Sequence, residues 1–568
     1  MNSRNDFYSV HKNLIVKSIE ELHFDEILNI KEESGNKYAL EVSNLIKYVF
    51  EGRIGPWGHV QIKNDSFYKL IDLQRVEEFT VNSFFQEIQE ICNIDDQTLA
   101  QYLEEANQTI LSDLKINANH SEMNFNQTSF QAFDQNLPGH TKLIMNKGRI
   151  GWGRAEVELY APEFKNTFKV IWVAIKKVFV TIGIDKNLHR DDLLPQGVVE
   201  KLQELDIDDS FIIVPIHPWQ WAHYIQNQFL ESIVRNEIIL LGAIGDNYSP
   251  QSSIRTLSNM TSPKSYDLKL SVSILNTSCV RGIPSKYIKD GHLISEFVLN
   301  LIDKDSYLKS RMDILKEVCA VKFNNKYFDD INDCSYRYKE LFGSIWRESV
   351  KSKLKEQEIA VPCASLLIKN NSQSYINYLI DSSCLSTREW VRKYINAVVL
   401  PLYHMQLTHG LGLVAHGQNT ILVLKNFEPH RLIIKDFHGD LRMSTKSPYC
   451  KSRELGSLDQ LPEHYLIHDL LTGHFVTVLR FLSRLLSDDG LLKETEFYHI
   501  CFETIKDFNT EYGEVPTHMN LLKSSFEKIL VNKVRFEAGY SETNTRLKPS
   551  LGSAISNPMC HEFGVGCA

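Results

Sequence analysis

The chain has 568 residues, of which 43% are hydrophobic and 23% charged, a globular balance that excludes wholesale disorder. It carries 62 Lys and Arg residues against 71 Asp and Glu residues, for a net charge of −9. We therefore expect no nucleic-acid partner, although a local basic site for a small anion is compatible with this charge. The ten cysteines contain no CxxC pair, so the usual zinc and iron–sulfur spacings are absent.

The apolar segments indicate where the protein resides. Residues 1–21 mix charged and apolar side chains and contain no apolar signal core. The longest apolar stretches, 168–184 and 470–486, both carry basic side chains and would cross a bilayer only at high cost. The sequence therefore predicts a soluble, cytoplasmic protein with no membrane partner.

In chain order, the first two regions differ in composition and in predicted secondary structure. Residues 1–136 are predicted to be mainly helical. Residues 137–380 begin with a basic, glycine-punctuated segment, and two strands are predicted in this region. They are the apolar run 211–216 and the alternating segment 268–275. The charged stretch 292–358 is predicted to be helical.

Residues 381–568 form the third region. Its predicted elements are a helix with a break at Pro401, a hairpin and a long amphipathic helix, at 390–407, 420–434 and 466–486. Mixed helices and antiparallel hairpins favour an α+β fold over a doubly wound sheet.

Three clusters of basic and hydroxyl side chains are candidate anion sites. Gly139-His140 followed by Lys147-x-Arg149-x-Gly151 could cradle a phosphate with backbone N–H groups and two cations, or form a solvated basic loop. The run 252–256 (SSIRT) suits phosphate oxygens and also a surface turn. On an extended segment Lys269, Thr277 and Arg281 would share a face, as ligands or as members of structural ion pairs.

A fourth cluster flanks the predicted hairpin. His416-Gly-Gln-Asn419 precedes it and Asp436 follows it. Protein kinases and related phosphotransferases hold Mg²⁺ with a loop Asn and a post-hairpin Asp in this way, because both ends of a hairpin return to one sheet edge. The loop lacks the kinase catalytic Asp, so the pattern supports nucleotide binding better than phosphoryl transfer. A structural hairpin with capping polar residues is the alternative.

Taken together, these clusters resemble the NRPS-independent siderophore synthetases of the IucA/IucC (aerobactin synthetase) type. The resemblance covers about residues 137–558, and its motifs keep the family's order. They are GH…KxRxG at 139–151, YAPEF at 160–164, HPWQ at 217–220, SSxRT at 252–256, Lys269…Arg281, HGQN at 416–419, KDF at 435–437 and Lys548-x-x-Leu551…Asn557-Pro558.

The resemblance implies an enzyme that adenylates a carboxylate, usually of citrate, with ATP and Mg²⁺. An amine then displaces AMP to form an amide. It also implies a cupped architecture, with a thumb-like region 1–136, a fingers-like region 137–380 and a kinase-like palm 381–568, and a homodimer.

Carried over residue by residue, the resemblance implies a set of site residues. Those implied to bind the nucleotide are Lys147, Arg149, Ser253, Arg255, Thr256, Lys269, Gln418, Asn419 and Asp436, with Asn419 and Asp436 also holding the metal. Those implied to bind the polycarboxylate are Thr277, Arg281, His416 and Lys548. Lys269, Arg281 and His416 are the implied catalytic residues, since cations stabilise the charge that develops on the phosphorus.

The chain departs from the family pattern at four places. Thr141 replaces a proline, Leu143-Ile144 replaces a His-Pro pair, Val414 replaces a glutamate and Lys435 replaces an arginine. The changes at Leu143 and Val414 suggest one alternative to the ligase, a catalytically reduced member that binds nucleotide or carboxylate. The HGQN and DFHG segments suggest another, a kinase-like phosphotransferase. The sequence does not specify which carboxylate and which amine are joined.

Overall fold

The computed structural model describes residues 4–277, 279–540, 543 and 549–560. The predicted ligand Lys548 therefore lies outside the described residues. The α-helices of eight or more residues in the described part are Arg4–Phe24, Asp96–Ser121, Gln196–Glu204, Gly291–Lys304, Tyr375–Ser383, Thr387–Tyr394, Leu400–His409, Arg480–Asp488 and Glu494–Tyr512. In the same residues, no helix combines the length and the apolar character needed to span a bilayer.

The N-terminal region combines two long helices with a sheet that the sequence pattern does not predict. Helix Asp96–Ser121 begins after Asp95, whose carboxylate accepts the N–H groups of Gln97 and Thr98. The six strands are Lys31–Ser34, Lys37–Glu41, Ile46–Ile54, Val60–Ile62, Tyr68–Ile71 and Gln74–Val76. The first strand is exposed at every position, so no apolar alternation marks it. The prediction of a mainly helical region was therefore incomplete.

An eight-stranded antiparallel sheet forms the centre of the molecule. Its strands, in spatial order, are Val180–Ile184, Glu317–Phe323, Gly343–Arg347, Asp267–Leu270, Thr256–Asn259, Ile238–Pro250, Phe168–Lys176 and Phe211–Ile216. The predicted strand 211–216 is confirmed at one edge. The predicted strand 268–275 is divided at Ser271, since Val272–Asn276 pairs separately with Cys279–Arg281.

The prediction of helix over 292–358 was wrong beyond Lys304. The segment continues into the strands Met312–Ile314, Glu317–Phe323 and Gly343–Arg347. Strand Glu317–Phe323 is buried at every position although it contains an acidic and a basic residue. In the sequence, the charges of Glu317 and Lys322 suggest the solvated surface of a helix. In the fold, both charges are paired inside the protein.

The C-terminal region contains the predicted hairpin. Thr420–Lys425 and Glu428–Ile434 pair antiparallel around a tight turn at Asn426 and Phe427, both with positive φ. Glu358–Pro362 and Met312–Ile314 complete this sheet, and Leu411–Leu413, Leu441–Ser444 and Asp459–Leu461 form a three-stranded one. A last pair joins Ser525–Leu530 to Ser550–Ser556.

Two π-helical turns interrupt the long helices of this region. Ile395–Val399 precedes Leu400–His409, and the wider turn accommodates Pro401, which lacks an N–H group. Leu471–Leu479 interrupts the predicted helix 466–486 in the same way. Mixed helices and antiparallel sheets confirm the predicted α+β class.

Candidate active site

A cavity of about 360 Å³ opens between the central sheet, the loop that follows residue 136 and the C-terminal hairpin. Nine of the predicted site residues line it: Ser253, Arg255, Lys269, Thr277, Arg281, His416, Gln418, Asn419 and Asp436. The fold therefore brings the second, third and fourth sequence clusters into one place.

A turn and a strand position the predicted phosphate-binding residues. The turn between strands Ile238–Pro250 and Thr256–Asn259 contains Ile254 with a positive φ of 69°, and Ser253 and Arg255 on either side of it line the cavity. Lys269 pairs with Thr256 in the next strand. Its ammonium group crosses to the hairpin and donates to Asp436 at 2.6 Å.

Asp436 is the anionic centre of the cavity. Besides Lys269, the buried guanidinium of Arg347 donates to the same carboxylate oxygen at 3.2 Å. Burial alone would raise the pKa of Asp436, but Lys269 and Arg347 outweigh it and hold that pKa well below its usual range. The carboxylate is therefore ionised at neutral pH. Arg347 has no motif around it and was not predicted.

The two ends of the hairpin meet at one sheet edge, as predicted. Thr420 pairs with Ile434, so Asn419 and Asp436 both face the cavity. Asn419 donates to Asp440 at 2.9 Å, and Asp440 also lines the cavity. These three side chains offer only oxygen atoms to a metal ion, and such a donor set suits Mg²⁺. Asp440 was missed; its one signal is its spacing of one helical turn after Asp436.

Guanidinium groups form the opposite wall. Arg281 donates to the Asn276 carbonyl at 3.1 Å and to the Thr277 hydroxyl, and among the described residues it forms no ion pair. Arg255 donates to the Gly282 carbonyl. The positive charge of Arg281 is thus available to a carboxylate or phosphate in the cavity.

Two buried histidines lie side by side in the cavity, with ring centroids 6.0 Å apart. The Nδ1 of His140 accepts the Leu143 N–H, and the Nδ1 of His416 accepts the Gln418 N–H. Burial lowers the pKa of both rings, that of His140 well below its usual value. Neutral rings with acceptor Nδ1 atoms carry their proton on Nε2, where it can be donated. His140 belongs to the GH motif but was not among the predicted site residues.

Gly139 and His140 of the first cluster line the cavity, whereas its two cations, Lys147 and Arg149, do not. Lys147 donates to Asp113 and to the Pro138 carbonyl, both at 2.7 Å. Arg149 forms a buried bidentate pair with Glu163 at 2.6 and 3.0 Å. Thr256 is buried within the central sheet. Their charges and hydroxyl are therefore directed into the protein, and Lys147 and Arg149 fix the loop that carries His140.

Only some of the residues that depart from the family pattern line the cavity. Thr141 and Leu143 line the cavity, with the Thr141 hydroxyl donated to the Thr477 carbonyl. Lys435 is buried, and burial lowers its pKa. Val414 does not line the cavity among the described residues, and its N–H donates to the Asp440 carbonyl at 2.9 Å.

Comparison with known proteins identifies relatives along the whole chain. A model of the IucA / IucC family matches residues 129–368, and one described as a ferric iron reductase FhuF-like transporter matches residues 388–543. The aerobactin synthase of Vibrio mimicus is 31% identical over 97% of this chain and 96% of its own length.

Solved structures of siderophore synthetases also superpose on this chain over nearly its whole length. Aerobactin synthetase IucC from a hypervirulent pathotype of Klebsiella pneumoniae superposes with a TM-score of 0.84 at 29% identity, over 98% of both chains. ATP-bound IucA from such a pathotype superposes with a TM-score of 0.77 at 15% identity, over 98% of this chain and all of its own, and shares the fold. The chain therefore belongs to the IucA/IucC family of siderophore-biosynthesis ligases.

Proposed function

We propose that this protein uses ATP and Mg²⁺ to adenylate a carboxylate of a polycarboxylate, citrate in the first instance, and joins it to an amine. One observation carries the proposal: a single cavity combines the oxygen donors of Asp436 and Asp440 with the guanidinium of Arg281, which forms no ion pair in the described part of the chain. Two polyanions can approach each other only where such charges are neutralised.

The proposed reaction has two steps. A substrate carboxylate oxygen attacks the α-phosphorus of ATP, the bond to the bridging oxygen breaks, and pyrophosphate leaves. The amine nitrogen then attacks the acyl carbon, the bond to the AMP oxygen breaks, and AMP leaves while the amine loses a proton. When bound, Mg²⁺ supplies neutralisation of the phosphate charge.

The chain's own residues divide this work. Ser253, Arg255 and Lys269 would bind phosphate oxygens, and Asn419, Asp436 and Asp440 would hold Mg²⁺. Thr277 and Arg281 would bind the polycarboxylate. Gln418 donates to Ser252 at 2.7 Å. This hydrogen bond links the turn that carries Ser253 and Arg255 to the loop before the hairpin.

The neutral imidazoles suit a donor role. His416, and His140 beside it, would donate Nε2–H groups to oxygens that gain charge as the α-phosphorus is attacked. Lys147, Arg149 and Thr256 would act by positioning the loop and strand that carry the ligands. Lys548 retains its proposed place at the substrate end.

The proposed regional division and assembly follow the resemblance. The cavity is lined from each proposed region except 1–136, which supports fingers at 137–380 and a kinase-like palm at 381–568. We also propose a cytoplasmic homodimer, for which light scattering of the purified protein measures the mass.

Hydroxylamine trapping tests the chemistry. Purified protein is incubated with ATP, Mg²⁺ and hydroxylamine, with citrate or 2-oxoglutarate in parallel, and hydroxamate, pyrophosphate and the nucleotide product are measured. We expect hydroxamate and AMP with citrate.

Signal with 2-oxoglutarate alone keeps the chemistry and replaces the acid. ADP in place of AMP contradicts adenylation and supports a phosphotransferase. No product with either acid, or with a preformed monoacyl citrate, while nucleotide still binds, identifies a catalytically reduced member.

A further inference from the structure

A cluster of metal-ligating side chains lies outside the catalytic cavity. Asp305 follows helix Gly291–Lys304, and His404 and His409 belong to helix Leu400–His409. The Oδ2 atom of Asp305 lies 2.9 Å from Nε2 of His404 and 2.8 Å from Nε2 of His409. One ligand atom from each residue lies within 4.8 Å of the other two.

Neighbouring groups orient these three side chains. The Oδ1 atom of Asp305 accepts the N–H groups of Tyr307 and Leu308 at 2.8 and 3.0 Å, which leaves Oδ2 directed at the imidazoles. The Nδ1 atom of His409 lies 3.1 Å from the Tyr449 hydroxyl. The ring of His404 stacks on Tyr307, with centroids 4.6 Å apart. A hydrogen bond to the far imidazole nitrogen is the usual support of a histidine ligand, and His409 has this support.

We propose that Asp305, His404 and His409 bind a divalent transition-metal ion of the zinc class. Two imidazoles and one carboxylate are donors that suit such ions, whereas Mg²⁺ prefers oxygen donors alone. Tetrahedral zinc with bonds of about 2.0–2.1 Å holds its ligand atoms about 3.3 Å apart. The two separations from Asp305 Oδ2 would therefore widen by about half an ångström.

The position of the cluster suggests what the ion does. Helix Leu400–His409 leads through strand Leu411–Leu413 into the loop that carries His416 and Asn419. The chain after Asp305 enters strand Met312–Ile314, which pairs with the hairpin strand that ends before Asp436. The ion would thus link the segment after helix Gly291–Lys304 to the helix that precedes the loop carrying His416 and Asn419. Its role is structural, and it does not depend on the proposed ligase activity.

Zinc titration tests the proposal directly. Tag-free full-length protein is stripped with a chelator and titrated with Zn²⁺ against a chromophoric chelator, with excess Mg²⁺ present to occupy oxygen-donor sites. We expect one zinc equivalent in the wild type, with a rise in Tm on zinc addition. His404→Gln and His409→Gln should each weaken zinc binding at least about tenfold.

His518→Gln is the matched control, because among the described residues His518 contacts a single carboxylate, that of Glu463, at 2.7 Å. This variant should bind zinc as the wild type does. If the His404 and His409 variants fold by circular dichroism and keep wild-type zinc affinity, the proposal is overturned. Should they fail to fold, X-ray absorption of the zinc-loaded wild type decides: two imidazole ligands support the site, and their absence, or no zinc uptake at all, refutes it.

Discussion

At the scale of single residues, the function depends on which cations remain available inside the cavity. Lys269 is already paired with Asp436, and Arg149 and Lys147 are paired elsewhere. Arg281 donates to neutral oxygens and forms no ion pair within the described residues. It is therefore the residue whose charge a polyanionic substrate would use most fully.

Arg281→Ala should lower kcat/KM by about 10²–10³-fold, the usual loss when one donor to a developing anion is removed. Arg281→Lys should retain only part of the wild-type kcat/KM, since an ammonium cannot form the planar bidentate contact. Arg154→Ala is the control, because Arg154 is exposed and pairs only with Glu158 among the described residues. Steady-state kinetics measure all three. Wild-type turnover in a folded Arg281→Ala protein would remove Arg281 from the site.

Asp440→Asn should raise the Mg²⁺ concentration needed for half-maximal activity by about tenfold or more, because a neutral amide is a weaker ligand than a carboxylate. The amide retains an oxygen that can accept the Asn419 hydrogen bond. Activity as a function of Mg²⁺ at fixed ATP gives the measurement. An unchanged Mg²⁺ dependence would place the metal on Asn419 and Asp436 alone.

At the scale of elements, the loop 137–151 positions His140, and the π-helical turn Leu471–Leu479 positions the loop that carries His416. Gly148 lets the chain pass against Glu105, and Arg149 anchors it to Glu163. Gly473 packs on the backbone of Ala415, next to His416, where an added Cβ would lie 2.8 Å from the Ala415 nitrogen. The two elements thus fix the neighbouring side chains His140 and His416, whose ring centroids lie 6.0 Å apart.

Arg149→Ala should destabilise the protein by about 3–5 kcal/mol, because it leaves Glu163 as an unpaired buried charge. Urea unfolding with and without ATP separates this role from nucleotide binding. The double variant Arg149→Met with Glu163→Met should recover stability. A folded, stable Arg149→Ala protein that had lost only ATP affinity would instead make Arg149 a nucleotide ligand.

Gly473→Ala should reduce activity and lower stability by about 1–3 kcal/mol, the usual range for overpacking. The displaced Ala415 carries with it the His416 loop. Gly456→Ala is the control, since its nearest contact would be an ordinary 3.4 Å. Equal behaviour of the two variants in kinetics and thermal unfolding would contradict the packing argument.

At the scale of the whole molecule, buried neutral histidines set the acid limit of stability. Burial lowers the pKa of His474 from 6.5 to about 4 and that of His217 to about 3. Below pH 6.5 these histidines become protonated in the unfolded chain but stay neutral in the folded chain, so stability falls as the pH drops towards 4. The pKa values of Asp469 and Glu105 are raised to about 7, and these two groups act in the opposite direction over the same window. Burial also lowers the pKa of His11, His59, His140 and His468, so the histidines outnumber them.

Stability from urea unfolding should therefore decrease from pH 6.5 to pH 4. In His474→Gln the slope should become shallower by up to about 1.4 kcal/mol per pH unit, one proton's worth. Glutamine keeps a donor for the Ala415 carbonyl and an acceptor for Tyr394, the two contacts of His474. An identical slope in both proteins would exclude His474 as a contributor.

The predictions from sequence succeeded where chemistry is local. The hairpin was predictable because two apolar runs enclose a short polar turn, and Asn419 and Asp436 had to meet because hairpin ends return to one edge. The six-stranded N-terminal sheet was not predictable, since polar edge strands such as Lys31–Ser34 show no alternation. Asp440 and His140 were missed because their spacing has meaning only once the cavity walls are placed.

By itself the sequence determined the α+β class, the family and nine of the residues that line the cavity, because these depend on local periodicity and on motifs kept in order. The tertiary structure decided which cations are available: Arg281 forms no ion pair in the described part of the chain, whereas Arg149 is paired with Glu163. It also decided where histidines meet a carboxylate. His464 and His468, spaced as a metal pair, gain no third ligand among the described residues, whereas His404 and His409 meet Asp305 from a distant helix end. Pairing depends on which groups distant segments bring within a few ångströms, and sequence spacing carries no such distance.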